Sequence, residues 1–314
     1  MPSALVSVIV PLFNKENYIE FTLKSIADQT CENLELIIID DGSTDSSLKV
    51  VRNFLQENKA RFANVILQSR PNTGQTRARK DGVDLATGEY IAFLDSDDVW
   101  HPDKLKKQSD LLIRSTNLDM VLCNYMMLYK SRWSTKAVRL SPIESKIRSW
   151  LLTSGFGGAL ESTALIRKSA LSSVNGFDPR IQMSGGLDLA FRFTINHKVG
   201  LVDDYLCGYR IIPDGWHNNK SDLRNSYDEL LSKPEFYSRY QKQIRENLDL
   251  HLSLWKLRTH FSPRNFRVFA SKIVSSPISS SLYLWATFSR NVIARLRGIL
   301  YLRSGKILSA KAGL

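Results

Sequence analysis

Short apolar runs recur along the first half of the chain, and more polar stretches separate them. The runs VSVIVPLF and LELIIID are apolar at nearly every position, as expected of strands buried within a sheet. Their few residues suit strands better than helices. Strands are predicted for residues 6–13, 34–40, 64–68, 90–94 and 120–129.

Amphipathic stretches lie between these runs. In the first of them, Ile19, Leu23 and Ile26 recur at helical spacing. Gly88, just beyond the third stretch, is predicted to act as a helix C-cap. Strands and helices that alternate at this pitch predict right-handed βαβ units, and therefore an α/β fold with a mostly parallel sheet flanked by helices. Helices are predicted for residues 17–29, 46–57, 76–86 and 101–113.

Carboxylates cluster where two of the predicted strands end. Residues 40–45 read DDGSTD, and residues 95–98 read DSDD directly after the apolar run IAFL. Two like charges this close repel each other by about 1 kcal/mol in water and by about 4 kcal/mol near a protein surface. Because folding does not require this repulsion, we expect a divalent cation such as Mg²⁺ or Mn²⁺, which takes oxygen ligands from carboxylates and substrate phosphates.

The segment between the two acidic clusters, NTGQTRARKDG, carries groups that suit a nucleotide. Gly42 and Gly74 permit close backbone approach and positive φ angles. Arg77 and Arg79 carry forked donors that match phosphate oxygens. Ligands of parallel sheets bind beyond the carboxyl ends of the strands, where both acidic clusters are expected to lie. The combination predicts a nucleoside-diphosphate site that includes a metal.

Each of these motifs also has an ordinary structural interpretation. Asp, Gly, Ser and Thr are favoured in turns and at helix N-caps, so DDGSTD and DSDD would serve there as well. The basic residues of TRARK are typical of a solvated helix face. The three motifs in this order, each beside a strand end, are more specific than any one of them.

The composition agrees with a folded protein that has an acidic partner. The chain has 314 residues, of which 43% are hydrophobic, enough for one large domain or two smaller ones and too many for disorder. The formal net charge is +12 and the pI about 9.6, which favours nucleic acid, anionic lipid or a phosphorylated substrate as partner. Cys31, Cys123 and Cys207 show neither zinc spacing nor a disulfide framework, as is typical of a reducing compartment.

The amino-terminal stretch MPSALVSVIVPLF has no basic region before its apolar residues, and Pro11 interrupts it. This favours a first strand over a signal peptide. The sequence has no run of about 18 or more apolar residues that would predict a transmembrane helix. We therefore expect a bacterial cytoplasmic protein that is peripheral at the inner face of the plasma membrane.

Four stretches resemble family 2 glycosyltransferases, the inverting enzymes of the GT-A fold that build surface polysaccharides and glycans. The stretches read VSVIVPLFNKENYIEFTLKSIADQT, LELIIIDDGSTD, NTGQTRARKDGVDLATGEYIAFLDSDD and, more weakly, VNGFDPRI. The likeness covers most of residues 5–105 and becomes thinner up to about residue 212. It implies a nucleotide-binding GT-A domain that carries a DXD motif, here Asp-Ser-Asp at residues 95–97.

The resemblance implies a donor site built from residues at the strand ends. Asp97 would bind the Mn²⁺ or Mg²⁺ ion that bridges the donor diphosphate and stabilises the leaving group. Asp41 would accept a hydrogen bond from the base, which is uracil in relatives, and Asp95 would contact the ribose. The residues implied to bind the donor nucleotide are Pro11, Phe13, Asp41, Asn72, Gly74, Arg79, Asp95 and Ser96.

Inversion needs a carboxylate base that takes the proton of the acceptor hydroxyl. Relatives usually supply it from a Glu-Asp pair shortly before an Asp-Leu and an Arg, and here the stretch reads MSGGLDLAFRF. Gly185 and Gly186 stand where the acidic pair is expected, which is a departure from the family pattern. Asp188 is predicted to act as the base in a shifted register, with Glu161 or Asp178 as alternatives. Asp188 would equally suit a helix N-terminus, where its charge favours the dipole.

The C-terminal part of the chain is basic and mainly helical in pattern. We place a GT-A domain at residues 1–220 and this second region at residues 221–314, which contain no Asp or Glu after Asp249. Trp and Tyr among Arg and Lys are typical of a helix at an anionic membrane surface. The alternative is an amphipathic helix docked on the catalytic domain.

These features predict a metal-dependent glycosyltransferase that moves a sugar from a nucleotide-sugar donor, UDP-linked, to a hydroxyl of a glycan or lipid-linked acceptor in cell-surface polysaccharide or glycan biosynthesis. The alternative is a catalytically degenerate relative that binds nucleotide sugars as a scaffold or regulatory subunit. Nucleic acid is not expected as a partner, because the positive charge concentrates at the C-terminus and no DNA- or RNA-binding module is recognised.

Overall fold

The computed structural model describes residues 4–129, 132–138, 160–182, 185–212 and 228–229. Its strands are β1 (Val6–Leu12), β2 (Leu34–Asp40), β3 (Asn64–Ser69), β4 (Tyr90–Phe93), β5 (Val99–Trp100), β6 (Met120–Tyr129), β7 (Arg132–Val138), β8 (Leu165–Arg167) and β9 (Val199–Ile211). Its helices are α1 (Ile19–Ala27), α2 (Ser47–Asn58), α3 (Gln75–Leu85), α4 (Lys104–Arg114), α5 (Leu160–Thr163), α6 (Lys168–Ser173) and α7 (Gly185–Asn196), with a 3₁₀ helix at Lys59–Arg61. The strands and helices predicted within residues 6–129 are all present near their expected bounds.

Within these residues one sheet holds nine strands in the order β3-β2-β1-β4-β8-β6-β9-β5, with β7 beside β6. The pairs β3-β2, β2-β1 and β1-β4 are parallel, as predicted. Beyond β4 the sheet becomes mixed, because β8 runs antiparallel to both β4 and β6, while β6 and β9 are parallel. The α/β prediction is confirmed, and its parallel part is the half that carries both acidic motifs.

Helices cover both faces of the parallel strands, which explains why β1 and β2 are buried at every position. On one face, Val8 and Val10 of β1 belong to the same core as Ile19 and Leu23 of α1. On the other face, Ile9 packs against α3 so closely that a Cβ atom at Gly82 would overlap its side chain. Successive side chains of a strand point to opposite faces, so this alternation fixes β1 between two helical layers.

A buried carboxylate near the start of β2 connects three other segments of the chain. Glu35 is fully buried and accepts hydrogen bonds from Ser7 Oγ (2.6 Å), Asn64 Nδ2 (3.0 Å), Thr87 N (2.9 Å) and Thr87 Oγ1 (3.0 Å). Burial alone would raise the pKa of Glu35, but these hydrogen bonds, led by that of Ser7, outweigh it and lower the pKa. The charge therefore joins β1, β3 and the turn before β4.

Gly88 does not cap α3, contrary to the prediction. The helix ends at Leu85, and Ala86 is its C-cap in an extended conformation. Gly88 instead lies against β1, where its amide donates to Ser7 Oγ (2.8 Å) and a Cβ atom would come 2.7 Å from the carbonyl oxygen of Leu5. The glycine is needed for this close backbone approach rather than for ending the helix.

The predicted C-terminal region, residues 221–314, lies outside the described residues except for residues 228–229. The boundary predicted at residue 220 also falls outside them and stays a prediction. Among the residues that are described, no helix has both the length and the apolar composition needed to cross a membrane.

Candidate functional site

The carboxyl ends of β2, β1 and β4 lie side by side at one edge of the sheet. The amide of Asp41, just after β2, donates to the carbonyl of Leu12 at the end of β1 (2.8 Å). On the other side of β1, the amide of Leu94 donates to the carbonyl of Ile9 (3.0 Å). The sequence motifs DDGSTD and DSDD therefore meet at the same edge, as the sequence predicted.

Asp41 organises the loop that leads into α3. Its carboxylate accepts hydrogen bonds from the amides of Thr73 (2.9 Å) and Gly74 (2.8 Å), and Arg70 Nη2 lies 3.0 Å from Oδ1. Gly74 has a φ of 97°, a conformation that favours glycine. A carboxylate offers about four acceptor positions. These three contacts therefore leave one position for a further donor, so the predicted bond from a base stays a prediction.

The other donor residues predicted on this side differ in exposure. Pro11 is buried within β1, where it faces Ile39 of β2 in the parallel register. Phe13 is 43% exposed just beyond β1, and the side chain of Asn72 is also exposed. A Cβ atom at Gly42 would lie 3.0 Å from the amide nitrogen of Asn72, so the two loops pack backbone against backbone. Phe13 and Asn72 are thus accessible to a ligand at this edge of the sheet, whereas Pro11 is buried beneath the surface.

A seam of hydrogen bonds joins the loop after β1 to the loop after β2. Asn14 Oδ1 accepts from the amide of Thr44 (2.8 Å), and Glu16 Oε2 accepts from the amide of Ser46 (2.8 Å). The amide of Lys15 donates to Ser47 Oγ (2.6 Å), at the first residue of α2. These residues were not predicted as part of the site, and they fix its backbone on the β1 side.

Asp97 is paired with a cation of the chain itself. Lys15 Nζ lies 3.1 Å from Asp97 Oδ2, and both side chains are partly exposed. Burial raises the pKa of Asp97, with Lys15 opposing and Asp95 adding to the effect. On the opposite side, Arg210 Nε donates to the backbone carbonyl of Asp97 (2.7 Å). Lys15 and Arg210 were both missed by the sequence analysis.

The oxygen donors of Asp95 and Asp97 are of the type that Mg²⁺ and Mn²⁺ prefer. Among the residues that the structure describes, no three His, Cys, Asp or Glu side chains form a ready metal cluster. A cation at Asp97 would therefore draw its remaining ligands from water and from substrate phosphates, as Mg²⁺ commonly does. The oxygen atoms of Asp95 and Asp97 therefore fit the predicted metal, provided that water and substrate phosphates complete its coordination.

Arg79 connects the DSDD segment to α5. Its Nη2 atom donates to Asp95 Oδ1 (2.6 Å), and its Nη1 atom lies 3.6 Å from Glu161 Oε1. The guanidinium is almost completely buried and also lies over the ring of Phe177. Burial opposes its charge, but Asp95 and Glu161 outweigh this and raise the pKa of Arg79. Arg79 thus holds two carboxylates from separate parts of the sequence.

Asp98 faces inward, away from the open side of the loop. It is fully buried, and it accepts hydrogen bonds from Ser162 Oγ (2.7 Å) and from the amide of Arg210 (2.9 Å). Burial, together with repulsion from Asp97 and Asp95, raises the pKa of Asp98 well above its usual range. Asp98 therefore anchors the DSDD loop to the protein interior. Ser96 is also buried, on the inner side of the same loop.

The glycines that replace the expected acidic pair lie directly against the site. A Cβ atom at Gly185 would overlap the side chain of Thr76 at the start of α3. A Cβ atom at Gly186 would lie 2.7 Å from the carboxylate carbon of Glu161. Real Cβ atoms essentially never approach other atoms within 3.0 Å. The space that a side chain at 186 would need is thus filled by Glu161.

Asp188 is held by an ion pair within α7. It is 2% exposed and pairs with Arg192, one helical turn further on. Arg192 also donates to the carbonyl oxygens of Val174 and Gly176. The catalytic role of Asp188 stays a prediction, and its partners favour the structural role.

The family model described as "Glycosyl transferase family 2" matches residues 7–174, more than half of the chain. The chain belongs to glycosyl transferase family 2. The match contains both acidic loops and Glu161, whereas α7 lies beyond it. The resemblance inferred from the sequence motifs is therefore confirmed.

Relatives of this family 2 chain carry glycosyltransferase names. An uncharacterized glycosyltransferase of Haemophilus influenzae is 40% identical over 126 residues, which are 40% of this chain and 48% of the relative. TuaG of Bacillus subtilis, a putative teichuronic acid biosynthesis glycosyltransferase, is 41% identical over 109 residues, which are 35% of this chain and 42% of the relative. AmsB of Erwinia amylovora, an amylovoran biosynthesis glycosyltransferase, is 26% identical over 212 residues, 66% of this chain and 69% of the relative. The match thus spans less than half of the length of the first two relatives.

Solved structures confirm the fold of this family 2 member. TarS of S. aureus in complex with UDP aligns with a TM-score of 0.58 at 18% identity, over 87% of this chain and 81% of that one. The mannosyltransferase PcManGT from Pyrobaculum calidifontis, in complex with GDP-Man and Mn²⁺, aligns with a TM-score of 0.58 at 17% identity, over 92% and 81%. At such identities the likeness shows the GT-A fold alone.

Proposed function

We propose that this family 2 member is an inverting, divalent-metal-dependent glycosyltransferase that moves a sugar from a UDP-linked donor to a hydroxyl group. The observation that carries the proposal is the meeting of three parallel strand ends, which brings Asp41, Lys15 and the DSDD segment to one edge. Ligands of such sheets bind at this edge. The edge combines carboxylates for a metal and a nucleoside with buried cations that hold them in place.

The donor nucleotide would lie across this edge from β2 toward β4. Asp41 and Gly74 would face the base, with Phe13 and Asn72 exposed beside it. Asp95 would accept from a ribose hydroxyl while Arg79 fixes its orientation by the 2.6 Å hydrogen bond. The neighbouring structures hold UDP in one case and GDP-Man in the other, so the base requires a direct test.

Asp97 would hold the divalent ion, and Lys15 would move from Asp97 to the donor diphosphate as the ion binds. The ion, when bound, stabilises the charge that develops on the departing diphosphate. Lys15 adds a second positive charge on the same side, which lies 3.1 Å from the carboxylate before the exchange. Arg210 would keep the backbone of Asp97 in place, because its Nε atom donates to the carbonyl of Asp97.

The acceptor would be a glycan or a lipid-linked sugar in the synthesis of a surface polysaccharide. Two relatives bear the names of teichuronic acid and amylovoran biosynthesis, which supports this setting. The basic sequence of residues 250–314, which lacks Asp and Glu, would attract an anionic membrane surface by about 1 kcal/mol per Lys or Arg near it. We therefore place the enzyme in the cytoplasm, peripheral to the inner face of the plasma membrane.

The proposal is tested by thermal unfolding with UDP, GDP, dTDP and CDP, each with and without Mn²⁺. A ligand at 100 times its Kd stabilises a protein by about 2.7 kcal/mol, which is readily measured. We expect stabilisation by UDP that requires Mn²⁺ and is lost in Asp97→Asn. Asp110→Asn, which removes an exposed carboxylate on α4, is the control and should retain it.

Absence of stabilisation by every nucleotide, with and without metal, would contradict the proposed donor site. Stabilisation by GDP instead of UDP would keep the site and correct the base. A chain that binds a nucleotide but turns over none of its sugar conjugates would support the alternative, a non-catalytic relative that binds nucleotide sugars.

A further inference from the structure

We infer that Glu161 is the carboxylate that takes the proton from the acceptor hydroxyl, in place of the acidic side chain expected at residue 185 or 186. This inference rests on the proposed function and names a catalytic residue for it. It starts from a steric relation between two residues from separate parts of the chain. The carboxylate of Glu161 lies where a side chain at residue 186 would begin.

The carboxylate of Glu161 lies close to Gly186, which has no Cβ atom. A Cβ atom there would lie 2.7 Å from the carboxylate carbon of Glu161. An acidic side chain at 186 would therefore require the carboxylate end of Glu161 to move from this place. Residue 186 brings no side chain of its own, and the carboxylate of Glu161, from α5, lies beside it at the amino end of α7.

The same carboxylate is connected to the donor loop. Arg79 contacts Asp95 with one nitrogen and Glu161 with the other. The next residue along the chain, Ser162, accepts a hydrogen bond from the amide of Asp95 (3.2 Å) and donates to Asp98. Because α5 is fastened to the loop at Ser162, Glu161 is held at a fixed place beside the proposed ribose contact.

The competing carboxylates are committed elsewhere. Asp188 lies two residues after Gly186 on α7, which turns its side chain by about 200° at 3.6 residues per turn. It is buried against Arg192 on that other side. Asp178 forms a two-point contact with Arg180, at 2.9 Å and 2.7 Å. Glu161 is about as exposed as Asp178, but the arginine beside it, Arg79, is the one that also holds Asp95.

The chemistry balances without a further reactant. The acceptor O–H bond breaks and its proton passes to Glu161, while the oxygen forms a bond to the anomeric carbon. The bond from that carbon to the diphosphate breaks on the opposite face, and the diphosphate leaves with the electron pair. Burial raises the pKa of Glu161, against the opposing effect of Arg79, which makes it a stronger proton acceptor than an exposed carboxylate.

The first test compares Glu161→Gln with the wild-type chain, with water as the acceptor. UDP-glucose, UDP-galactose, UDP-N-acetylglucosamine and GDP-mannose are supplied with Mn²⁺, and the released nucleoside diphosphate is measured. General base catalysis contributes about 10²–10⁴-fold, so Glu161→Gln should lose at least about 100-fold in turnover. Thermal stabilisation by the nucleotide should not change. Glu89→Gln, an exposed position on the turn before β4, is the matched control and should keep wild-type turnover.

The second test moves the carboxylate from one part of the chain to the other. In Glu161→Ala combined with Gly186→Asp, the new side chain enters the space that Glu161 vacates. Turnover should be at least about tenfold higher than in Glu161→Ala alone. This factor is a tenth or less of the about 10²–10⁴-fold that a general base contributes. A residue that only supported the fold would not be replaced in this way, so recovery separates a proton acceptor from a structural carboxylate.

Several outcomes would overturn the assignment. Wild-type turnover in Glu161→Gln would do so, and so would a greater loss in Asp188→Asn with the fold and nucleotide binding intact. A wild-type chain that binds nucleotide but releases none from the sugar conjugates would do so as well. In each case the nucleotide stabilisation shows that the donor site stands, whereas its absence from the wild-type chain would instead refute the proposed function.

Discussion

Lys15 and Asp97 form an ion pair of 3.1 Å at the edge where β1 and β4 end. The carboxylate that the sequence motif assigns to a metal is thus already balanced by an ammonium group of the same chain. A metal ion and this ammonium group compete for one carboxylate, and the competition has a measurable consequence.

Replacement of Lys15 by Met should strengthen Mn²⁺ binding by the protein alone. A partly exposed ion pair contributes up to about 1 kcal/mol, so the affinity for Mn²⁺ should rise by as much as about fivefold. Binding of UDP without metal should weaken in the same variant, because the diphosphate loses a cation. Titration of free Mn²⁺ by electron paramagnetic resonance measures the first effect. Lys24→Met, at an exposed pair with Glu20, should change neither quantity.

Replacement of Asp41 by Ala should weaken both the fold and nucleotide binding. The part-buried amides of Thr73 and Gly74 would lose their acceptor, and a hydrogen bond of this kind contributes about 0.5–1.5 kcal/mol. Urea unfolding measures the first effect, and thermal stabilisation by nucleotide measures the second. Normal nucleotide binding in a folded Asp41→Ala protein would show that the loop keeps its shape without this carboxylate.

Replacement of Glu35 by Gln should destabilise the protein at neutral pH and much less in acid. The charged carboxylate accepts four hydrogen bonds, and its lowered pKa means that the folded state favours the ionised form. Its contribution is complete above the unfolded pKa of about 4.3 and is lost as the pH falls through the lower folded pKa. We expect a loss of about 1–3 kcal/mol at pH 7.

Urea unfolding at a series of pH values between 7 and 3 measures this difference. The gap between wild type and Glu35→Gln should narrow only below about pH 4.3. Glu32→Gln changes an exposed glutamate just before β2 and should follow the wild type at every pH. A constant gap down to pH 3 would show that ionisation of Glu35 does not contribute.

Replacement of Gly186 by Ala should destabilise the protein, although Ala is normally the better helix former. The added Cβ atom overlaps the end of the Glu161 side chain, which would have to leave its place beside Arg79, and overpacking costs about 1–3 kcal/mol. In a Glu161→Ala background the same change should be neutral or stabilising. The coupling free energy from the four unfolding curves should therefore be about 1 kcal/mol or more. Additive effects would mean that the two residues do not share this space.

The parallel half of the fold was predictable from hydrophobic pattern, and the rest was not. β1 and β2 are buried at every position, so each stands out as an unbroken apolar run. β5 and β8 have two and three residues, which is too short for any periodicity to show. Their pairing reverses the direction of the sheet beyond β4, which no local pattern reveals.

The two acidic loops of the site were predictable for a related reason. Each acidic loop directly follows an apolar run, so the sequence that predicts the strand also shows that carboxylates lie at its end. Ser162 and Arg210, in contrast, bind Asp98 from 64 and 112 residues away along the chain. Nothing near either residue in the sequence marks it as a partner. The close approach of Glu161 to Gly186 is likewise visible only in the folded structure, where α5 lies against α7.

The seam between the loops after β1 and β2 determines how this edge responds to a ligand. Asn14, Lys15 and Glu16 are each bonded to the loop or helix that follows β2, and Lys15 reaches across to Asp97 after β4. The segments after β1 and β2 are thereby joined into one stiff rim, whereas the side chain of Lys15 remains able to leave Asp97. Ordering of this rim is completed during folding, so little conformational entropy remains to be lost on binding. Selection among nucleotides then depends on fit to a surface of fixed shape, and faster dissociation is the expected fate of a poorly matched base.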